Sequence, residues 1–386
     1  MSEAFIVGAF EHPTRRAPDK SLGQLHAECA LGALADAGLG LRDVDGYFWS
    51  GVMPNLGLVS LTDYLNLKLR HFDSSDVGGA SPIVHVNHAV EAIRQGKCDV
   101  ALVTLAGRPR SEGQATGTGA RAGNALQPDS PWESPFGPVT SNLYGMCAMR
   151  HMYEFGTTSE QLAWVKVAAS HHAQHNPNAL LRDVVTVEEV VASPMVSDPL
   201  HRLDCCVITD GGGALVLARE EIARSLSRPL VRPIGRGESI MGQDGGRIDL
   251  TVSAGSRSGP AAFAEAGVTP ADIKYASIYD SFTITVVIEI EDLGFCAKGE
   301  GGRFVADGNL ISGVGRLPWN TDGGGLCSNH PSNRGGMTKV IEAVRQLRGE
   351  AHPAVQVRNC GLALAHGTGG LLGARHSAAT LIMERL

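Results

Sequence analysis

The first stretch of the chain that could take part in chemistry is a glycine turn that leads into a strongly apolar helix. In VGGASPIVHVNHAVEAIRQG, residues 77–96, Ser81 and Pro82 are typical of a helix start, and apolar residues follow on nearly every side. This pattern predicts a buried helix whose unpaired N–H groups and dipole stabilise negative charge. Ser81 is the nucleophilic side chain of the turn, and we interpret it first as the N-cap and second as a catalytic serine.

Composition restricts the class of protein. The chain has 386 residues, of which 43% are hydrophobic, enough for a large core or two domains. Its net charge of −7 and the absence of a basic run argue against nucleic-acid binding, and no apolar run is long enough for a membrane span. The N-terminus has no signal-peptide pattern and is expected to form a first strand. Eight scattered cysteines without a CxxC pair suit reduced thiols, so we expect a cytoplasmic protein without a metal site.

The chain repeats itself, which indicates two similar halves. The matching stretches are 33–49 with 262–278, 89–95 with 340–346, and 210–219 with 366–375. The two members of the first pair and of the second pair are separated by similar numbers of residues. The members of the third pair are closer together by about 95 residues, which indicates an insertion in the first half. We therefore predict a half at 1–225 with a loop domain at about 108–200, and a second half at 226–386. Alternating helices and strands predict an α/β fold with helices on the faces of mixed or parallel sheets.

Several longer stretches together resemble one known family. They are SHHAQHNPNALLRDVVTVEEV and SDPLHRLDCCVITDGGGA in the first half, and YDSFTITVVIEIEDLGFCAKGEGGRFVADG, LPWNTDGGGLCSNHPSNRGGM and HGTGG in the second. In this order they resemble the thiolase superfamily, and in particular its thiolase-like sterol-carrier and lipid-transfer branch. The resemblance implies the thiolase fold, with two similar βαβαβ-type halves in five layers, α-β-α-β-α, and an inserted loop domain.

The resemblance also implies four loops that build an active site. The Cys-x-Ser-Gly loop of the family falls on residues 79–82, where Gly79 stands in the position of the nucleophile. The second loop falls on residues 279–282, which begin with Tyr279. The third loop, Gly-His-Pro in the family, falls on residues 329–331 and contains His330, with asparagine at the position of the glycine. The fourth loop, residues 366–370, begins with a histidine where the family has its acid/base cysteine. Both reactive cysteines are absent, so acyl transfer through a cysteine thioester loses its usual chemistry.

The residues left in these loops suit a different reaction. His330 and His366 can transfer protons near neutral pH, and Tyr279 can exchange a proton with a substrate hydroxyl. Backbone amides can hold an oxyanion at the site-loop residues Gly79, Ser81 and Gly369. This set predicts aldol or retro-aldol chemistry on a β-hydroxyacyl-CoA, as in the steroid side-chain retro-aldolases that the branch includes. Those enzymes have a second tyrosine with no counterpart here, and His330 is expected to take its role.

Two other functions stay open at this point. The first is an acyl-CoA acyltransferase, similar to an acetyl-CoA acetyltransferase, that uses Ser81 or Cys327 as the nucleophile. The second is a non-catalytic scaffold subunit that binds acyl-CoA or lipid. An acylated peptide would favour the former, whereas binding without activity would favour the latter.

The resemblance implies partners and excludes a resident cofactor. Coenzyme A is expected to enter as part of the substrate, with no permanently bound cofactor. A homodimer or a dimer of dimers is expected, formed through the first-half sheet. A small zinc-ribbon/OB-fold protein that helps to bind acyl-CoA is a further expected partner.

Overall fold

One mixed sheet of nine strands runs through the protein. The computed structural model describes residues 3–50, 57–115, 134–136, 139–331 and 335–386. In the order in which they lie side by side, the strands of the sheet are β3 (His71–Ser74), β2 (Gly46–Trp49), β4 (Val100–Gly107), β7 (Gly211–Arg219), β1 (Ala4–Glu11), β8 (Val231–Met241), β11 (His376–Arg385), β10 (Leu362–Gly370) and β9 (Tyr275–Ile278). Strands β5 (Met195–Ser197) and β6 (Leu200–His201) form a separate pair.

The helices lie on the faces of the sheet and in the segment between β4 and β7. In the first half they are α1 (Leu22–Ala37), α2 (Leu58–Tyr64), α3 (Ser81–Arg94), α4 (Thr140–Phe155), α5 (Ser159–Ala173), α6 (Val187–Val191) and α7 (Glu220–Ser225). In the second half they are α8 (Gly255–Ala266), α9 (Thr283–Asp292), α10 (Gly301–Val305) and α11 (Gly336–Arg348). In the part of the chain that the structure describes, none of the helices has the length and apolar character needed to span a bilayer.

Two similar halves meet at the middle of the sheet. Strands β1 and β8 pair through a single register position, Ile6 opposite Val231. On either side of this junction four strands correspond in position: β1 to β8, β7 to β11, β4 to β10 and β2 to β9. Helices α1 and α8 both end at a left-handed glycine, Gly38 and Gly267. The predicted repeat is therefore present, and the proposed boundary at residues 225 and 226 falls between α7 and β8.

The third repeated stretch was matched to the wrong element. Residues 211–219 form β7, whereas 366–370 form the end of β10, and a short turn then leads to β11. By its position in the sheet, β11 is the counterpart of β7. Glycine-rich strands that lie against other backbone look like turns in sequence, which explains the error.

As predicted, the fold has five layers, which are defined by the helices that cover each part of the sheet. Helices α3 and α11 share one apolar core with strands of both halves, and therefore lie between the two parts of the sheet. Helix α1 covers the outer face of the first half. Helices α8 and α9 contribute to the core that covers the outer face of the second half. The α-β-α-β-α order places the first turn of α3 at the centre of the molecule.

The insertion in the first half lies between β4 and β7. It contains α4, α5, α6 and the β5–β6 pair, whereas only the short turn 371–375 joins β10 to β11 in the second half. The first part of the predicted loop domain includes residues 116–133 and 137–138, which are outside the described residues. The part of the insertion that is described packs against α9 and the turn at 324–328.

Candidate active site

The first turn of α3 is reached through a tight turn at Gly78–Ala80. The prediction that Ser81 caps this helix is wrong, because Ala80 is the capping residue and Ser81 is already helical. The Ser81 hydroxyl instead accepts a hydrogen bond from the backbone N–H of Val77 at 2.9 Å and lies 3.5 Å from Oδ1 of Asp76. Ser81 therefore closes the turn from within, and its role as an oxyanion or nucleophilic residue stays a prediction.

Gly79 has no room for a side chain. An ideal Cβ atom on this residue would lie 2.5 Å from Cε2 of Tyr279 and 2.3 Å from the backbone oxygen of Thr368. Both distances are far inside van der Waals contact. The position that carries the nucleophilic cysteine in the resembling family is thus filled, in this chain, by the ring of a tyrosine from the other half.

Tyr279 and His330 form the central polar pair of the site. Tyr279 follows the end of β9, and its backbone N–H donates to the backbone oxygen of His366 at 2.9 Å. The tyrosine hydroxyl lies 2.7 Å from Nε2 of His330, and the two rings meet edge to face. Both side chains are buried, at 4% and 7% exposure. Sequence reasoning selected both residues, and the structure brings them into direct contact.

Burial decides the charge of His330. It lowers the pKa of the imidazole to about 4, although the carboxylate of Asp280 opposes the shift. The ring is therefore neutral at neutral pH and can accept a proton. Its other nitrogen, Nδ1, is buried without a hydrogen-bond partner among the described residues. A neutral histidine bonded to a tyrosine hydroxyl is a competent base for a substrate hydroxyl group.

A buried ion pair that sequence reasoning missed supports the loop before His330. Asp280 accepts hydrogen bonds from Nζ of Lys339 at 2.8 Å and from the backbone N–H of Gly325 at 2.8 Å. It also accepts from Leu326, so one carboxylate holds the start of the turn Gly324–Ser328. Lys339 within the buried helix α11 was the available signal, because a buried lysine needs a partner.

His366 lies apart from this pair. Its Nδ1 atom is 2.9 Å from the hydroxyl of Thr380, and its Nε2 atom is 2.9 Å from Oε2 of Glu289 on α9. Alternation along β10 explains the separation, since Gly367 faces α3 while His366 faces the outer helices. Burial would raise the pKa of Glu289, but the neighbouring His366 lowers it, and the net pKa is below its ordinary value. The catalytic role predicted for His366 is not supported by these contacts.

Gly369 is a position of close backbone approach. An ideal Cβ atom there would lie 1.8 Å from the backbone oxygen of Val77, just before the turn that starts α3. The residue pairs with Ser377 across β10 and β11. Glycine is required here for packing against the turn, and its service as an oxyanion donor stays a prediction.

Cys327 is engaged in a contact away from the tyrosine. Its Sγ atom lies 3.1 Å from Nζ of Lys166, a buried lysine on α5 that also donates to the backbone oxygen of Leu326. Burial raises the pKa of the Cys327 thiol even though Lys166 opposes the shift. A protonated, buried thiol is a poor nucleophile, and this weakens the alternative that depends on it.

The chain is similar to several known proteins. Residues 242–385 match the family described as thiolase C-terminal domain-like. The chain is 34% identical to an acetyl-CoA acetyltransferase of Methanothermobacter thermautotrophicus over 100% of both chains. It is 37% identical to a steroid side-chain-cleaving aldolase of Thermomonospora curvata, over 84% of this chain and 85% of that protein. The solved structure of the Ltp2-ChsH2(DUF35) aldolase superposes with a TM-score of 0.88 and 32% identity, covering 99% of this chain and 98% of that one.

Proposed function

This chain belongs to the thiolase superfamily, in its thiolase-like lipid-transfer branch, and we propose that it cleaves the Cα–Cβ bond of a β-hydroxyacyl-CoA by a retro-aldol reaction. The observation that carries the proposal is the Tyr279–His330 pair, which fills the space beside Gly79 where a nucleophilic thiol would stand. Two relatives are named aldolases, one of them side-chain-cleaving, and the similarity to them extends over most of the chain.

The reaction starts at the substrate hydroxyl. Tyr279 takes the β-hydroxyl proton while its own proton passes to Nε2 of His330, 2.7 Å away. The Cβ–O bond becomes a carbonyl, the Cα–Cβ bond breaks, and its electron pair moves into the thioester as an enolate. Proton return to Cα then gives a shorter acyl-CoA and a ketone or aldehyde.

The enolate oxygen needs hydrogen-bond donors, and we assign the turn before α3 to this role. The backbone N–H of Gly79 lies in this turn, just before a helix of 14 residues whose dipole favours negative charge. The N–H of Ser81 donates to the backbone oxygen of Gly78, so Ser81 shapes the turn that carries this donor. Gly369 packs against the turn from β10, and we propose it as a further oxyanion donor.

An acyltransferase is the second candidate, because a relative of that name matches the whole chain. It needs a nucleophile, and both candidates in this chain are occupied. Ser81 closes its own turn, and Cys327 is protonated beside Lys166. A non-catalytic scaffold is favoured still less, since a scaffold has no use for a neutral histidine bonded to a buried tyrosine.

The test is product release from the purified protein. Candidate β-hydroxyacyl-CoA esters are incubated with the chain alone and with its partner, and the carbonyl product and the shortened acyl-CoA are quantified together. The matched control is the same acyl-CoA without the β-hydroxyl group, which has no proton for Tyr279 to take. Equal amounts of the two products are expected; their absence with every candidate would overturn the proposal. An acylated peptide in mass spectrometry would instead support the acyltransferase.

Coenzyme A enters this reaction only as part of the substrate. We further propose a homodimer, or a dimer of dimers, through β3, the edge strand of the first half. Its Phe72 side chain is 63% exposed, which supports an association at this edge. The name of the Ltp2-ChsH2(DUF35) aldolase joins two components, and this supports a comparable partner, a small zinc-ribbon/OB-fold protein, for this chain.

A further inference from the structure

Asn329 precedes His330 and occupies a position where the resembling family has glycine. The residue is completely buried. Its Nδ2 atom donates to Oε1 of Glu11 at 3.0 Å, and its Oδ1 atom accepts from the hydroxyl of Thr209 at 2.7 Å. The Thr209 hydroxyl in turn accepts from the backbone N–H of His330 at 3.0 Å. A continuous hydrogen-bonded chain thus runs from the end of β1 to the histidine of the site.

In this hydrogen-bond network, the donor and the acceptor of each bond are fixed. A carboxylate such as Glu11 can only accept, so the amide of Asn329 must turn its NH₂ group toward Glu11 and its oxygen toward Thr209. Thr209 has a single hydroxyl proton, and it is used on that oxygen. The hydroxyl can then only accept from His330, and the orientation of every group follows from the charge on Glu11.

Two arginines keep Glu11 charged. Arg15 donates to Oε1 of Glu11 at 2.7 Å, and Arg345 donates to Oε2 at 3.2 Å. Burial would raise the pKa of Glu11, but these two cations lower it, and the net pKa is below the ordinary value. Arg15 also donates to the backbone oxygen of Ser328 at 3.0 Å, so the segment before His330 is anchored twice.

We propose that Asn329 is a positioning residue that, through Thr209, holds the backbone of His330 so that Nε2 of its ring faces the hydroxyl of Tyr279. This inference rests on the proposed retro-aldol function for its kinetic consequence. Thr209 holds the backbone oxygen of His330 as well, through its own N–H at 3.4 Å. With both main-chain groups held, the ring has little freedom to leave the tyrosine.

The kinetic experiment uses Asn329→Gly, which restores the family's residue, together with Thr209→Val and Thr209→Ser. Valine has the shape of threonine without the hydroxyl, whereas serine keeps the hydroxyl. We expect kcat to fall by about tenfold or more in Asn329→Gly and Thr209→Val, with KM changed by less than about threefold. Thr209→Ser should recover most of the wild-type rate. Asn66→Gly, an exposed asparagine on the surface, is the matched control and should leave kcat unchanged.

A second measurement needs no substrate. Histidine labelled with ¹³C at Cε1 gives one NMR signal per ring, and His330→Gln identifies the signal of His330. In the wild type this signal should not titrate down to about pH 5, because its pKa is about 4. In Asn329→Gly and Thr209→Val a loosened loop admits water, so the pKa should rise toward the ordinary value of 6.5.

The two measurements separate this inference from the proposed function. If the wild type has no lyase activity but the His330 signal shifts in both variants and not in Thr209→Ser, the positioning role stands and the reaction assignment fails. If the wild type is active and both variants keep the wild-type kcat and His330 signal, the positioning role is overturned. Equal loss of activity in Thr209→Ser and Thr209→Val also overturns it, since the hydroxyl then plays no part.

Discussion

The ring of Tyr279 lies where a side chain on Gly79 would have to be. An ideal Cβ on Gly79 would be 2.5 Å from Cε2 of the tyrosine, which comes from the opposite half of the molecule. The same ring places its hydroxyl 2.7 Å from His330. A thiol nucleophile at position 79 and a tyrosine bonded to His330 therefore compete for the same space in this site. The chain has the tyrosine, which suits the proposed removal of a proton from a substrate hydroxyl group.

Gly79→Cys should not create an acyltransferase. The new side chain overlaps both Tyr279 and the backbone oxygen of Thr368, so we expect a loss of stability of about 1–3 kcal/mol and loss of lyase activity. Chemical denaturation and product assays measure the two effects, and Gly79→Ala is the matched variant because it carries the same Cβ without the thiol. Similar behaviour of the two variants is expected. Acylation of the new cysteine at wild-type stability would contradict the steric argument.

Tyr279→Phe removes only the hydroxyl and leaves the ring beside Gly79. We expect kcat to fall by about a hundredfold to ten-thousandfold, because proton transfer from the substrate is lost. Stability should fall by about 1–3 kcal/mol, since Nε2 of His330 loses its partner. Product release and thermal unfolding are measured on the same preparation. Tyr153→Phe, on an 82% exposed tyrosine, is the control and should change neither quantity. A Tyr279→Phe variant with wild-type kcat would remove the tyrosine from the mechanism.

The pH profile reports on His330. A base must be neutral, and burial lowers the pKa of this histidine to about 4 from an ordinary value of 6.5. As the pH falls from 7, kcat/KM should stay level through about pH 5 and then decline with a midpoint near the lowered pKa. Near-UV circular dichroism at each pH verifies that the protein is folded. A decline centred on 6.5 in folded protein would contradict a buried His330 of lowered pKa as the base.

The variant His366→Gln tests whether His366 has a structural or a catalytic role. The contacts of His366 with Glu289 and Thr380 predict a structural role, so the variant should unfold at a lower temperature. Its kcat should stay within about tenfold of the wild type, whereas His330→Gln should lose at least about a hundredfold. Thermal unfolding curves and kcat measured for both variants distinguish the two roles. Normal stability with lost turnover would restore the catalytic role that the sequence predicts for His366.

Patterns local in sequence predicted the architecture well. The glycines that end α1 and α8 both have a left-handed conformation. Helix ends of this kind, and the strands that follow them, can be predicted from local sequence. The resemblance then located Tyr279 and His330 in two distant loops. Their contact at 2.7 Å confirms that the two loops converge.

Features that depend on side-chain direction were not predictable. His366 is in the expected loop, yet strand alternation turns it away from α3, and the sequence does not fix where that strand begins. Ser81 looked like a helix cap because a serine before a proline usually is one, but the preceding turn uses its hydroxyl. Asp280 and Lys339 are 59 residues apart, and only the fold brings them together.

The last prediction concerns a proton held in the interior. Glu342 on α11 lines a cavity of about 190 Å³ together with Asp322, Arg345 and Glu11. Burial, reinforced by the charge of Asp322 and opposed by Arg345, raises the pKa of Glu342 to about 7 from an ordinary 4.5. Between pH 4.5 and pH 7, Glu342 is therefore protonated in the folded protein and ionised in the unfolded chain. This contribution to stability is fully present below pH 4.5 and is lost as the pH rises through 7.

Glu342→Gln should abolish that pH dependence, because the amide keeps an oxygen for the hydroxyl of Thr321, 2.6 Å away in the wild type, and never ionises. Relative to the wild type, the variant should gain up to about 3 kcal/mol of unfolding free energy between pH 4.5 and pH 8. Denaturant unfolding at pH 4.5, 6 and 8 measures the difference. Glu221→Gln, whose side chain is 65% exposed, serves as the control and should give a difference that does not change with pH. A flat difference for Glu342→Gln as well would mean that Glu342 ionises in the folded protein as it does in the unfolded chain.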